Sequence, residues 1–102
     1  MKRNSKNPKL APILLFTYNR LDHLKKTIYS LKKNSLSKYS DLIIFSDGVK
    51  KKNEKKDIEK VRNFIKNIDG FNSIKIYLRN KNYGLSKNVI YGITQILKEY
   101  PN

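Results

Sequence analysis

The chain has 102 residues, 38% of them hydrophobic, which suits one globular unit or a part of one and leaves no room for a second domain. It contains no cysteine, which excludes a disulfide framework and a thiolate metal site, and its single histidine leaves little for a zinc cluster. The net charge of +15 admits nucleic acid or an anionic membrane as partner, but heavy use of Lys, Asn, Ile and Tyr, as in AT-rich coding, is a competing source of it, and lysines outnumber arginines 19 to 4 where groove readers favour arginine.

Residues 1–10 mix Lys, Asn, Ser and Pro without period, as a flexible basic arm does. The apolar run Leu10 to Phe16 is too short to span a membrane, contains Pro12 and leads to no small-residue cleavage pattern. It reads instead, over residues 11–17 (APILLFT), as a strand buried on both faces, the mark of a parallel sheet. From about Arg20 to Asn34 the apolar residues Leu21, Leu24, Ile28 and Leu31 recur at helical spacing. A second strand, DLIIFS over 41–46, ends at Asp47-Gly48. Asn53 and Glu54 then open a second helix with the stripe Ile58, Val61, Ile65 and Ile68, stopped at Gly70. A third strand, SIKIYLR, covers 73–79, and Leu85, Val89, Ile93, Ile96 and Leu97 mark a third helix that ends before Pro101.

Three buried strands alternating with three helices predict parallel βαβ units, hence an α/β fold with strand order 3-2-1. The segments that follow the strands then emerge on one edge of the sheet, where ligands of open α/β sheets bind. They are Thr17-Tyr18-Asn19-Arg20, Ser46-Asp47-Gly48 and Arg79 to Gly84. Asn19 is either a helix cap or a ligand contact. Asp47-Gly48 is either an Asx turn, with glycine tolerating positive φ, or a carboxylate that accepts from a ribose or a base N–H. Asn82, Gly84, Leu85 and Asn88 are either an ordinary strand-to-helix turn or an anion-favouring helix start. His23 is a surface residue, and the lysine run 50–56 is a solvated loop or a steering patch for an anionic donor. Neither GxGxxG nor GxxxxGK[ST] occurs, so a dinucleotide fingerprint and a P-loop are unsupported.

Taken together, APILLFTYNR, DLIIFSDG and LRNKNYGLSKNVIYG resemble the opening of family 2 glycosyltransferases over residues 11 to about 97. The resemblance implies a Rossmann-like GT-A fold, a nucleotide-sugar donor, commonly a UDP-sugar, and transfer of the sugar to an acceptor by the full-length enzyme. It implies that Thr17, Tyr18 and Asn19 line base and ribose, that Arg20 sits at the rim and that Asp47 holds the nucleoside. Asn82, Gly84 and Asn88 fall close to nucleoside and diphosphate, and Arg79 matches an arginine at the end of the third strand. In the family a later DxD-like motif holds Mg²⁺ or Mn²⁺, and the base lies beyond it. Here Glu99 is the one acid after Asp69, so residues 11–102 are expected to be a partial GT-A domain truncated before that motif, inactive alone, with no metal ligand and no catalytic residue named. The alternatives are a small basic nucleic-acid-binding module and another α/β nucleotide-using transferase, such as a nucleotidyltransferase. No specific nucleic acid and no transmembrane segment are expected, and the location expected is the cytoplasm or the inner face of a membrane, peripherally. With the first strand left at an edge, the chain is expected either to self-associate through residues 11–17 or to be poorly soluble.

Overall fold

The computed structural model describes residues 10–100, so the arm expected over residues 1–10 lies, but for Leu10, outside the described residues. Three strands, β1 (Ile13–Thr17), β2 (Asp41–Ser46) and β3 (Ser73–Leu78), form one sheet in the order β1-β2-β3. Both pairings are parallel, and their register places Thr17, Ser46 and Leu78 in one row at the carboxyl ends. The helices α1 (Leu21–Lys32), α2 (Lys55–Ile65) and α3 (Leu85–Glu99) alternate with the strands. Strand type, parallel pairing and strand order agree with the sequence-based expectation.

Side chains of β2 alternate between two layers, as the period of two requires. Leu42 and Ile44 pack with Leu24 and Ile28 of α1 and with Val61 and Ile65 of α2. Ile43 and Phe45 face the other way, toward Ile96 of α3. Helices α1 and α2 therefore share one face, and α3 crosses back over the other. On that second face Phe16, Phe45 and Tyr77, which share one register row, stack across all three strands with centroids 5.1 and 5.0 Å apart.

Burial departs from the sequence pattern in two places. Among the described residues only β2 is covered on both sides, because it alone has a neighbour along each edge; β1 is half-buried throughout and β3 mixes exposed and half-buried positions. The apolar stripe foreseen for the third helix is also misplaced. Its buried positions are Asn88, Gly92 and Ile96, while Leu85, Ile93 and Leu97 are exposed. Close approach explains this: a Cβ at Gly92 would lie 2.7 Å from the Phe16 ring and 3.1 Å from that of Phe45. The helix backbone thus rests directly on the aromatic stack, and the larger apolar residues are turned to its flank.

Smaller shifts occur at element ends. The first helix begins at Leu21, the second has a short 3₁₀ turn at Lys52–Glu54 before it, and it ends at Ile65, ahead of Gly70. Gly70 nonetheless has the left-handed φ of 91° that made it a plausible stop.

In an exposed helix, replacing glycine by alanine stabilises by about 1 kcal/mol. Gly92→Ala should do the reverse, lowering stability by about 1–2 kcal/mol, because the added methyl meets a ring already held in a stack. Urea unfolding of the two proteins checks the sign.

Candidate functional site

The three polar segments do converge at the carboxyl edge, and one carboxylate ties two of them together. Asp47, 4% exposed, follows β2 directly. Its Oδ1 accepts the N–H of Gly48 and of Tyr83, both at 2.8 Å. Its Oδ2 accepts the N–H of Gly84 at 3.0 Å and a longer contact from the Asn82 amide at 3.4 Å. The same Asn82 amide donates to the Gly48 carbonyl at 2.9 Å. A buried carboxylate costs several kcal/mol unless donors replace its water, and here backbone N–H groups do so.

The Asx turn read from Asp47-Gly48 is present, but glycine is needed there for another reason than positive φ. Gly48 is not among the positive-φ glycines; a Cβ on it would lie 2.5 Å from the Lys81 carbonyl carbon, because the backbone of the β3–α3 loop passes against it. Gly84, by contrast, has φ of 80° with open space around it, so conformation alone selects it. It turns the chain into α3 with no side-chain cap.

Arg62 of α2, which the sequence did not single out, holds the same edge from behind. Its Nε donates to Ser46 Oγ at 3.0 Å, and its Nη2 reaches the carbonyls of Ser46, Asp47 and Arg79 at 3.3, 3.0 and 2.8 Å. Burial pulls the Arg62 pKa below its ordinary value, opposed by the nearby charge of Asp47. A signal existed in the rarity of arginine in a lysine-rich chain: a fork that serves several acceptors at once is beyond an ammonium group.

Glu54 is the second residue missed. Tyr18 donates its hydroxyl to Glu54 Oε1 at 2.6 Å, and Asn19 donates its amide to Oε2 at 3.0 Å. The Tyr18 oxygen in turn accepts the Lys50 N–H at 3.0 Å. Burial, followed by the hydrogen bond to Glu54, raises the Tyr18 pKa. Asn19 is therefore no helix cap: Arg20 occupies the cap position of α1 without a side-chain cap bond. Arg20 and Asn19 line a separate depression of about 400 Å³ beside His23, Asp57 and Lys60.

Between these ties lies a cleft of about 270 Å³, lined by Phe16, Thr17, Tyr18, Asp47, Lys50, Asn82, Gly84, Leu85 and Asn88. That is just below the usual range for ligand clefts, about 300–1,000 Å³. Arg79 is not in the lining: its guanidinium lies over the rings of Phe45 and Tyr83 at 5.1 and 4.8 Å. Its Nε donates to Asn88 Oδ1 at 3.2 Å.

The described residues do not fit a divalent cation. No group of three or more His, Cys, Asp or Glu side chains is placed to hold one among them. The two acids nearest the cleft are committed, Asp47 to N–H donors and Glu54 to Tyr18 and Asn19.

Replacing Arg62 by lysine should lower unfolding stability by about 1–3 kcal/mol, since an ammonium cannot reach all four acceptors. A denaturation midpoint equal to that of the wild type would show that the clamp is dispensable.

The sequence profile described as Glycosyl transferase family 2 matches residues 13–100, a span that runs from the first residue of β1 to beyond α3 and contains every lining residue of the cleft. No curated protein and no solved structure matches the chain. With this profile covering nearly all of the chain, and with a parallel α/β sheet whose polar segments gather at its carboxyl edge, the protein belongs to glycosyl transferase family 2.

Proposed function

We propose that the cleft binds the nucleoside diphosphate part of a nucleotide-sugar donor, a UDP-sugar, for transfer of the sugar to an acceptor by the full-length enzyme. The observation that carries this reading is the meeting of Thr17, Tyr18, Asp47, Asn82, Gly84 and Asn88 in one cleft at the carboxyl edge of a parallel sheet. Phe16, Thr17 and Tyr18 offer an apolar and aromatic wall for a base. Asp47 has one acceptor direction weakly used, since Oδ2 meets the Asn82 amide only at 3.4 Å, and a ribose hydroxyl or base N–H would take it. The start of α3, with Gly84 and Asn88, suits the diphosphate, and Lys50 adds a positive charge on the lining. The Mg²⁺ or Mn²⁺ that the resemblance implies would draw its ligands from outside residues 10–100. No helix among the described residues is long and apolar enough to cross a membrane. Action at the cytoplasmic side belongs to the same proposal.

Asp47→Ala removes both a ligand contact and the tie between the two loops. UDP affinity should fall at least about tenfold, the equivalent of about 1.5–3 kcal/mol for a hydrogen bond to a charged group. Calorimetric titration giving equal UDP affinity for both proteins would refute the role of Asp47. Supplied with UDP-sugar and Mn²⁺, the 102-residue chain should bind without turnover; activity that survives repurification would contradict this.

We also infer that β1 mediates self-association. Among the described residues it pairs with β2 alone, so one row of backbone N–H and C=O groups stays open, and Ile13–Thr17 carries no charge to protect it. The α3 flank turned away from β3 is also uncharged. Glu99 marks the β3 side of the helix through its bonds to Lys75 and Tyr77, and Val89, Ile93 and Leu97 lie on the opposite flank. A second copy related by a two-fold axis would join edge to edge and flank to flank. Sedimentation should therefore show concentration-dependent dimers that Leu14→Pro, which removes a donor on the open edge, or Ile93→Lys weakens; a monomer at all concentrations would contradict the inference.

A further inference from the structure

We propose that Arg79 acts as a positioning residue that turns the Asn88 amide into a donor for a phosphate oxygen at the start of α3. This rests on the nucleotide-binding reading above and goes beyond it by giving the subsite a chemistry and Arg79 an indirect role. Asn88 is 2% exposed, the first-turn residue whose backbone N–H closes on the Gly84 carbonyl at 2.9 Å. Its Oδ1 accepts from Arg79 Nε at 3.2 Å. An arginine nitrogen can only donate, so this bond decides which end of the amide faces away from it. The Nδ2 end has no acceptor among the described residues, yet it is not sealed off, and Asn88 lines the cleft. A nearly buried side chain thus holds an unpartnered donor toward the open space.

The helix start adds donors of the same kind. Asn88 makes the first intrahelical bond of α3, to Gly84, so the N–H groups of Leu85, Ser86 and Lys87 have no partner within the helix, and no side chain caps them. Donors alone demand an acceptor, and an oxygen that carries negative charge rather than a proton satisfies them best.

Arg79 itself is withdrawn from the ligand. Its guanidinium lies over Phe45 and Tyr83, and its Nη2 is buried with no hydrogen-bond partner among the described residues. Attraction to the two ring faces compensates the cation there. Its effect on a ligand is therefore transmitted through Asn88 and not through contact.

The test titrates the isotope-labelled 102-residue chain with UDP, uridine and inorganic pyrophosphate, reading dissociation constants and the amide signals of Leu85, Ser86 and Lys87. UDP and pyrophosphate should move these amides and uridine should not. Asn88→Asp keeps a partner for Arg79 but sets a carboxylate against the phosphate, and should weaken UDP at least about tenfold while leaving uridine unchanged. Arg79→Met should weaken UDP in the wild-type background and cost nothing further beside Asn88→Ala. Arg79→Lys, which retains the charge over the rings without an Nε at that place, replaces it if the methionine variant does not fold. Equal weakening of UDP and uridine by Asn88→Asp would overturn the proposal, as would an undiminished Arg79 effect in the Asn88→Ala background. UDP binding that leaves the three amides unmoved overturns the subsite while sparing the nucleotide reading. Pyrophosphate binding at these amides with no preference for UDP keeps the subsite and overturns that reading.

Discussion

A single buried carboxylate organises the carboxyl edge of this sheet. Asp47 accepts N–H groups from its own loop and from the loop between β3 and α3, two segments about 35 residues apart in the chain. Neither loop has regular structure of its own across these positions, so their mutual placement depends on this satisfaction of charge by backbone dipoles. Gly48 allows the crossing, and Gly84 then turns the chain into α3. Without the carboxylate the half-buried N–H groups of Tyr83 and Gly84 would lose their acceptor, at a cost of up to about 1 kcal/mol each.

The sheet delivers Asp47 to that place with little freedom. It lies immediately beyond β2, whose residues Leu42 to Phe45 are fully buried between two helix layers. Its N–H continues the ladder to Thr17, just as the Arg79 N–H reaches Ser46. Arg62 then collects the carbonyls of Ser46, Asp47 and Arg79 into one fork. Rigid strands, a half-buried clamp and the carboxylate tie together create a cleft whose walls come from three separate segments, the preorganisation that makes loop-borne sites specific.

Much of this was legible in the chain. The unbroken apolar run of DLIIFS marked the central strand to the residue, since burial on both faces removes alternation. Parallel connections then fixed which segments share an edge, and the cleft unites Thr17, Tyr18, Asp47, Asn82, Gly84 and Asn88 as that logic requires. What escaped was decided by tertiary contact. Arg62 and Glu54 stand in lysine-rich helical stretches where pattern reading sees solvent, and their partners lie 15 to 36 residues away. Gly92 reads as a weak helix residue until the Phe16 ring is placed under it, and its close contact redirects the apolar stripe of α3. The place of Arg79 at the end of the third strand was legible, but its stacking over Phe45 and Tyr83, out of the cleft lining, depends on a loop path no local pattern encodes.

The Asp47 carboxylate, and not local turn preference, orders the β3–α3 loop. Native-state amide hydrogen exchange at Tyr83 and Gly84 tests it most directly, because both N–H groups end on that carboxylate. Slow exchange, in the range of the β2 amides, is predicted for the wild type. In Asp47→Asn, where an amide N–H₂ replaces one acceptor oxygen and opposes a backbone N–H, exchange at these two positions should accelerate while β2 remains protected. Exchange in the wild type as fast as in an unstructured loop, or protection unaltered by Asp47→Asn, would contradict the account.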